Sequence, residues 1–372
     1  MKTDAIGLYV HVPFCVKKCA YCDFTSFPLC DFSWRENYID ALCDEIASYK
    51  SHKLTLDTIF FGGGTPSLLS GEEFLKISSA IGDSFEIARD VEFTMEANPG
   101  TLKRENLAAY ISGGVNRLSI GLQSIHENEL KKLGRIHDYS SFLKSHDMAR
   151  ELGIANINFD LMYGIPEQTT ESFCKTLNTV IALQPEHLSV YGLILEPGTP
   201  LYERSGEVVL PTEDDEVDMY YRASDILSNA GYEHYEISNY SKAGKRCLHN
   251  LKYWRLDDYI GVGLSAHSFY RGRRYFNSSK VDEYFSEFGK GYICNQSEEF
   301  DHEFEYVMLG LRTADGISLN EYEKKFKHDF CDGREAKLKK LIDLGLIFLT
   351  DNQLRLTERG FYVSNTILSE LL

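Results

Sequence analysis

The chain has 372 residues, 43% of them hydrophobic, which is enough for a large core and a smaller second unit. Its formal charge of −17 disfavours binding to nucleic-acid backbones or anionic lipid. No apolar run is long enough to span a bilayer, and the acidic start Met1-Lys2-Thr3-Asp4 does not resemble a signal peptide, so a cytoplasmic protein is expected.

The first strand is expected from Gly7 to Val12 and delivers a loop with three cysteines in eight residues, Cys15, Cys19 and Cys22. Soft thiolates this close select zinc, copper(I) or an iron–sulfur cluster. Structural zinc sites and electron-transfer clusters normally take four protein ligands, and this run supplies three. Either His11 or Cys30 completes a zinc site, or the metal keeps an open position for a ligand. The other cysteines, Cys43, Cys174, Cys247, Cys294 and Cys331, lie mostly in apolar surroundings and read as small buried hydrophobes.

Ser33-Trp-Arg-Glu36 and Ser70-Gly-Glu-Glu73 are capping-box patterns, each ahead of an amphipathic stretch. Further strands are expected at Thr58 to Gly62, Val91 to Ala97, Val115 to Leu122, Ala155 to Tyr163 and His187 to Leu193. Six β–α units in succession predict an α/β fold whose parallel sheet curls into a partial (β/α)6 barrel of the TIM type. A flat doubly wound sheet is the alternative, because periodicity does not report curvature. Both folds place their sites at C-terminal strand ends, and polar residues gather there: Glu96, Gln123, Arg135 and Asp160. Gly62, Gly63 and Gly64 end the second strand and open its backbone to close approach. The set predicts a polar, zwitterionic ligand in the barrel mouth.

A further helix and strand are expected over residues 212–235. The loop from Gly261 to Phe269 contains one imidazole, His267, which either faces a site or packs against the barrel. From about Phe300 the texture changes. A helix through Leu338, Leu341, Ile342 and Leu344 closes at Gly345, a hairpin turns at Asp351-Asn352, and a last helix runs from Phe361 to Leu372. This predicts a winged-helix-like module, and its lack of a dense basic face points to packing or capping, not to DNA. The expected division is a core over 1–235, a connecting segment over 236–295 and the C-terminal module over 296–372.

Cys15-x-x-x-Cys19-x-Tyr21-Cys22 followed by Gly62-Gly63-Gly64-Thr65-Pro66 resembles the radical S-adenosylmethionine (SAM) superfamily. Over essentially its whole length the chain is similar to the coproporphyrinogen dehydrogenase-like group of that superfamily. The resemblance implies a radical SAM core and a [4Fe–4S] cluster held by Cys15, Cys19 and Cys22. The amino and carboxylate groups of S-adenosylmethionine would then chelate the fourth iron, and electron delivery into the sulfonium would break a C–S bond. Matched to the family motifs, Tyr9, Gly63, Gly64, Thr65 and Glu96 would contact S-adenosylmethionine. Tyr21, Gln123, Arg135 and Asp160 match positions for a second S-adenosylmethionine in the dehydrogenase; equally, they could wall a single site.

Two departures separate branches within the group. The dehydrogenase pattern continues with a fourth cysteine where this chain has Phe24, which cannot ligate a metal. The dehydrogenase also carries an N-terminal extension of several tens of residues, whereas eight residues precede Tyr9 here. Both features resemble the heme chaperone (HemW) branch, as does the signature His249-Asn250-x-x-Tyr253-Trp254. Imidazole is a common axial ligand of heme iron, and Tyr and Trp faces can stack on a porphyrin. On the residues alone, the His–Asn pair could equally tie a loop, and Trp254 could be core. The resemblance implies heme binding and delivery to acceptor hemoproteins, membrane respiratory complexes among them, with dimerisation and peripheral contact with the inner membrane. No coproporphyrinogen dehydrogenase activity is expected. The alternative is oxygen-independent decarboxylation of coproporphyrinogen III, and a zinc-stabilised binding module is a third reading.

Overall fold

Six β-branched or aromatic runs become the parallel centre of one sheet: β1 (Ile6–Val12), β2 (Thr55–Gly63), β3 (Glu86–Ala97), β4 (Arg117–Gln123), β5 (Asn156–Tyr163) and β6 (His187–Gly192). They pair in chain order, each parallel to the last. The computed structural model describes residues 5–28, 32–288 and 296–372. Beyond β1 the sheet continues through Tyr259–Val262, then antiparallel through His267–Tyr270, Arg273–Phe276 and Gln296–Glu298. Beyond β6 it ends on the antiparallel pair Asn239–Ser241 and Glu233–Glu236.

The sheet is curled. Laid flat, Glu92 on β3 and Tyr235 on the end strand Glu233–Glu236 would stand about 24 Å apart, five strand spacings. Instead Cys247 bridges them, its amide donating to the Tyr235 hydroxyl at 3.2 Å and its thiol to Glu92 at 3.6 Å. The two-residue alternation of a strand then sorts side chains between outside and lumen. Leu8, Val10, Ile59, Phe61, Leu118, Ile120, Ile157, Phe159 and Leu188 are buried in one continuous core beneath the helices. Their alternates are largely polar: Glu92, Thr94, Arg117, Ser119, Asn158, His187 and Ser189, all buried. The barrel interior is therefore a hydrogen-bonded polar lumen, and the apolar core surrounds it.

Local signals act as expected at the helix Gly71–Ser84. Ser70 Oγ accepts from the Glu73 amide at 3.2 Å, and Glu73 accepts from the Ser70 amide at 2.6 Å. The helix Phe32–Ser48 forms too, although the Ser33 side chain lies outside the described residues. Helix Glu213–Asn229 and strand Glu233–Glu236 occupy the expected 212–235 segment. At the C-terminus, helix Glu335–Asp343, hairpin strands Ile347–Leu349 and Gln353–Leu356, and helix Ser364–Leu371 pack around their own buried cluster. Tyr220, on the helix Glu213–Asn229, belongs to that cluster and ties the module to the barrel. Helices His302–Gly310 and Leu319–Phe326, which the sequence pattern does not announce, complete the module.

Candidate functional site

The cysteine loop leaves β1 and is pinned at several points. Phe14–Cys15 pairs with Phe27–Pro28, and the Ala20 amide donates to Leu133 O at 2.9 Å while Ala20 O accepts from the Leu201 amide at 2.8 Å. Gly134, at φ +73, leaves room for this approach, since a Cβ there would lie 3.2 Å from the Ala20 nitrogen. Cys15 is buried, and Cys19 and Cys22 are partly accessible. Burial, reinforced by the neighbouring Cys19 and Cys15 sulfurs, pushes the Cys22 thiol up to about 11.

The three sulfurs thus sense one another. Among the described residues, however, no group of three or more His, Cys, Asp or Glu side chains is placed around a single-ion position. His11 has no nitrogen to spare for such an ion. Its Nε2 donates to Thr25 O at 2.8 Å, which leaves Nδ1 to accept from the Tyr9 hydroxyl at 3.1 Å. Burial holds this imidazole neutral, with its pKa down to about 4. Cys30, the other residue weighed as a zinc ligand, lies outside the described residues. Three thiols on a rigid, partly open loop fit a cluster with one non-protein ligand better than a closed zinc site.

Beside the loop, β2 ends in backbone that tolerates no side chain. Gly63 has φ +105, and a Cβ there would lie 2.4 Å from the His11 ring; one on Gly64 would lie 2.7 Å from Phe14 O. The Gly63 amide donates to Glu96 Oε2 at 3.2 Å. Glu96 can be reached from the mouth, yet desolvation, with help from the Asp160 charge, raises its carboxyl to about 8. Such a group gains from a cationic partner. Thr65 lies 3.7 Å from Cys15 Sγ and accepts from Asn98 Nδ2 at 2.8 Å. Asn98 Oδ1 accepts from Arg135 at 2.7 Å, and Arg135 also donates to the Tyr21 hydroxyl at 2.9 Å. Cys15, Thr65, Asn98, Arg135 and Tyr21 therefore form one polar chain that leaves the cysteine loop and returns to it.

Gln123 joins this wall by a different device. A register shift between Gly121 and Gln123 sets Gln123 at φ +67, a bulge that redirects its side chain. A Cβ on Gly121 would touch Asn98 Oδ1, Gln123 Nε2 and Arg135 Nη2 at 3.1–3.3 Å, so the three converge there. Asp160 lies within the lumen, accepting from Asn158 at 2.7 Å and Ser119 at 3.1 Å. Burial raises its carboxyl. Sequence reasoning misses Asn98, and it misses Glu92 and Arg117 as well. Their signals lie in Asn98-Pro99-Gly100 directly after β3 and in the alternating polar positions of β3 and β4.

The His249 signature lies elsewhere. Helix Leu248–Arg255 enters the lumen at the N-terminal end of the strands. There Glu92 accepts from the Leu248 and His249 amides at 3.1 and 3.0 Å. The His249 ring is fully buried, stacks on Phe60, and has both nitrogens engaged, Nδ1 with Thr58 and Nε2 with the Tyr253 hydroxyl, each at 2.8 Å. Thr58 pairs with Gly7, and Gly62 with His11, so His249 sits about 13 Å along the strands below the Gly62 layer. Asn250 and Trp254 are half-buried on the same helix. Tyr253 points up and, with Tyr9, His11, Phe24, Tyr259 and His267, lines a cavity of about 440 Å³.

A radical SAM superfamily model matches residues 9–180, and a HemN C-terminal domain model matches residues 300–363. The chain is 36% identical to the heme chaperone HemW of Bacillus subtilis, over 98% of both chains. It is 34% identical to that of Lactococcus lactis, over 98% of this chain and 96% of the relative. With that of Escherichia coli it shares 42% over 72% of this chain and 71% of the relative. Among solved structures, coproporphyrinogen III oxidase (HemN) from Escherichia coli superposes with a TM-score of 0.85, covering 99% of this chain and 90% of that one. At 23% identity this likeness establishes a common fold.

Proposed function

Because the chain belongs to the HemW family of radical SAM proteins, we propose that it is a heme chaperone, binding heme and passing it to acceptor hemoproteins. The observation that carries this over porphyrin oxidation is Phe24. Where the oxidase pattern continues with a sulfur, this chain has an aromatic ring, 63% exposed, at the rim of the mouth cavity. That position can contact a flat apolar ligand and cannot ligate or exchange electrons.

Cys15, Cys19 and Cys22 would hold a [4Fe–4S] cluster. When bound, the cluster would supply electrons and an iron position for the amino and carboxylate groups of S-adenosylmethionine. Glu96 would accept from an N–H of the ligand's amino group, while the side-chain-free backbone at Gly63 and Gly64 would let it lie beside Tyr9 and Thr65. Tyr21, Arg135, Gln123 and Asp160 wall the same space. Arg135 joins Thr65 through Asn98, which favours one S-adenosylmethionine in one continuous site. In the signature His249, Asn250, Tyr253 and Trp254, Tyr253 offers the cavity its ring and His249 fixes that ring from below. Acceptors would include respiratory hemoproteins, met by transient contact, and a homodimer would be the carrier's assembly. No helix among the described residues is long and apolar enough to cross a membrane.

The test gives anaerobically reconstituted protein S-adenosylmethionine, dithionite and either hemin or coproporphyrinogen III. Hemin uptake followed by transfer to an apo-hemoprotein, without porphyrinogen turnover, is the expected result. Formation of protoporphyrinogen would overturn the carrier reading.

A further inference from the structure

Two histidines, His11 and His267, line the mouth cavity, and of these His267 is the exposed one. His11 is buried with both nitrogens engaged, and His249 is buried beneath Tyr253. His267 is exposed and lines the cavity two strands along the sheet from β1. Its support is rigid. A Cβ on Gly261 would lie 2.2 Å from His267 O, so the chain doubles back on itself at a distance only glycine allows. Ser268 Oγ accepts from the Gly261 amide at 2.9 Å. Buried Glu45 anchors the same loop, accepting from the Gly263 amide, Asn277 and Tyr284, each at 2.8 Å. The His267 ring stacks on Phe276 with centroids 5.4 Å apart. The aromatic rings of Tyr9, Tyr253, Tyr259 and Phe24 line the same cavity, with one carboxylate, Asp23.

We propose that this cavity is the heme site, with His267 as the axial ligand of the iron and Phe24 covering the porphyrin face. The assignment rests on the heme-carrier reading and specifies where the cargo sits. The volume, about 440 Å³, is less than a whole heme occupies, so the porphyrin would protrude past the rim, where Phe24 is exposed. A site open at one rim and floored by fixed aromatic rings suits a cargo that must leave again. It also places the porphyrin next to the cysteine loop, since His11 and Thr25 bridge the cavity wall to that loop at 2.8 Å. Occupancy of the loop can therefore be felt at the heme, and release can depend on it.

The experiment titrates reconstituted protein with hemin and, separately, with iron-free protoporphyrin IX. It reads affinity by fluorescence quenching and ligation by electron paramagnetic resonance. His267→Ala should weaken hemin binding about tenfold or more, remove the histidine-ligated signal and leave protoporphyrin IX binding unchanged. Added imidazole should restore the signal, a rescue that a merely structural role would not allow. Phe24→Ala, at an exposed position that folding tolerates, should weaken both ligands. An unchanged signal and affinity in His267→Ala would overturn this site while leaving the carrier reading intact. If the unaltered protein takes up no hemin, the carrier reading falls, and the site with it.

Discussion

The two ends of the barrel lumen are built from the same alternating polar pattern and put it to opposite uses. At the base, polar groups find partners within the protein: Glu92 caps the incoming helix, Thr58 and Tyr253 bracket His249, and Lys252 pairs with Asp57 at 2.8 Å. At the mouth, capacity is left over. Glu96 has one backbone donor and a raised pKa, and its side chain is only partly buried. Burying polar groups is costly unless they are paired, so these contacts stabilise the base from within, whereas the proposed ligand would meet the partly accessible Glu96 carboxyl at the mouth.

The sharpest test of that contrast removes a cysteine. Cys15→Ser should abolish the cluster, seen as loss of bound iron and of its broad visible absorption in anaerobically reconstituted protein. Folding should be little affected, because the loop is also held by Ala20, Thr25 and Phe27. The reverse pattern is expected at the base. His249→Ala leaves the Thr58 and Tyr253 hydroxyls unpaired in a cavity and should cost about 2–5 kcal/mol of stability, read from denaturant unfolding. A stable His249→Ala protein would contradict the structural role assigned to the base.

Local pattern in the chain accounts for much of this architecture. The strands are legible because Ile59-Phe60-Phe61 and Leu118-Ser119-Ile120 are short runs bounded by turns, and the cap at Ser70 is legible because its partner Glu73 is three residues away. The mouth residues Glu96, Gln123 and Arg135 stand out as polar residues at strand ends. What local pattern cannot show is which of two fates a buried polar residue meets. His249 reads as a ligand because imidazole binds iron. Its placement depends on Gly7, 242 positions away, where a Cβ would lie 3.2 Å from its ring. Asn98 escapes notice for the same reason: its partners Thr65 and Arg135 come from other strands' loops.

Titration next sets the buried imidazoles against Glu96. Burial holds His11 and His234 to about 4 and His249 to about 3, below the ordinary value of 6.5. Between those values the unfolded chain binds protons that the folded chain refuses, so stability should fall as pH drops from about 6.5 toward 4. Glu96 works in the opposite direction. Its folded pKa of about 8 lies above the ordinary value of 4.5, so its contribution declines as pH rises through that window. A cationic ligand would reverse this by favouring the carboxylate. Near pH 7, binding of S-adenosylmethionine should release up to about one proton from Glu96, measured calorimetrically in buffers of different ionisation enthalpy. Glu96→Gln should remove that share of the proton release, and an unchanged dependence would remove Glu96 from the site.

The smallest effect is expected where the two ends meet. The Tyr253 hydroxyl bonds His249 Nε2 below while its ring faces the cavity above. Tyr253→Phe keeps the ring and deletes the bond, leaving one buried imidazole nitrogen unpaired. Stability should drop by about 1–3 kcal/mol, while hemin affinity changes less than it does in Phe24→Ala. If Tyr253→Phe instead weakens hemin binding as strongly as His267→Ala, the phenol itself contacts the cargo, and the boundary between sealed base and open mouth moves down to include it. The paired measurement of unfolding midpoint and hemin affinity thus locates the depth at which the lumen stops serving the fold and begins to serve the ligand.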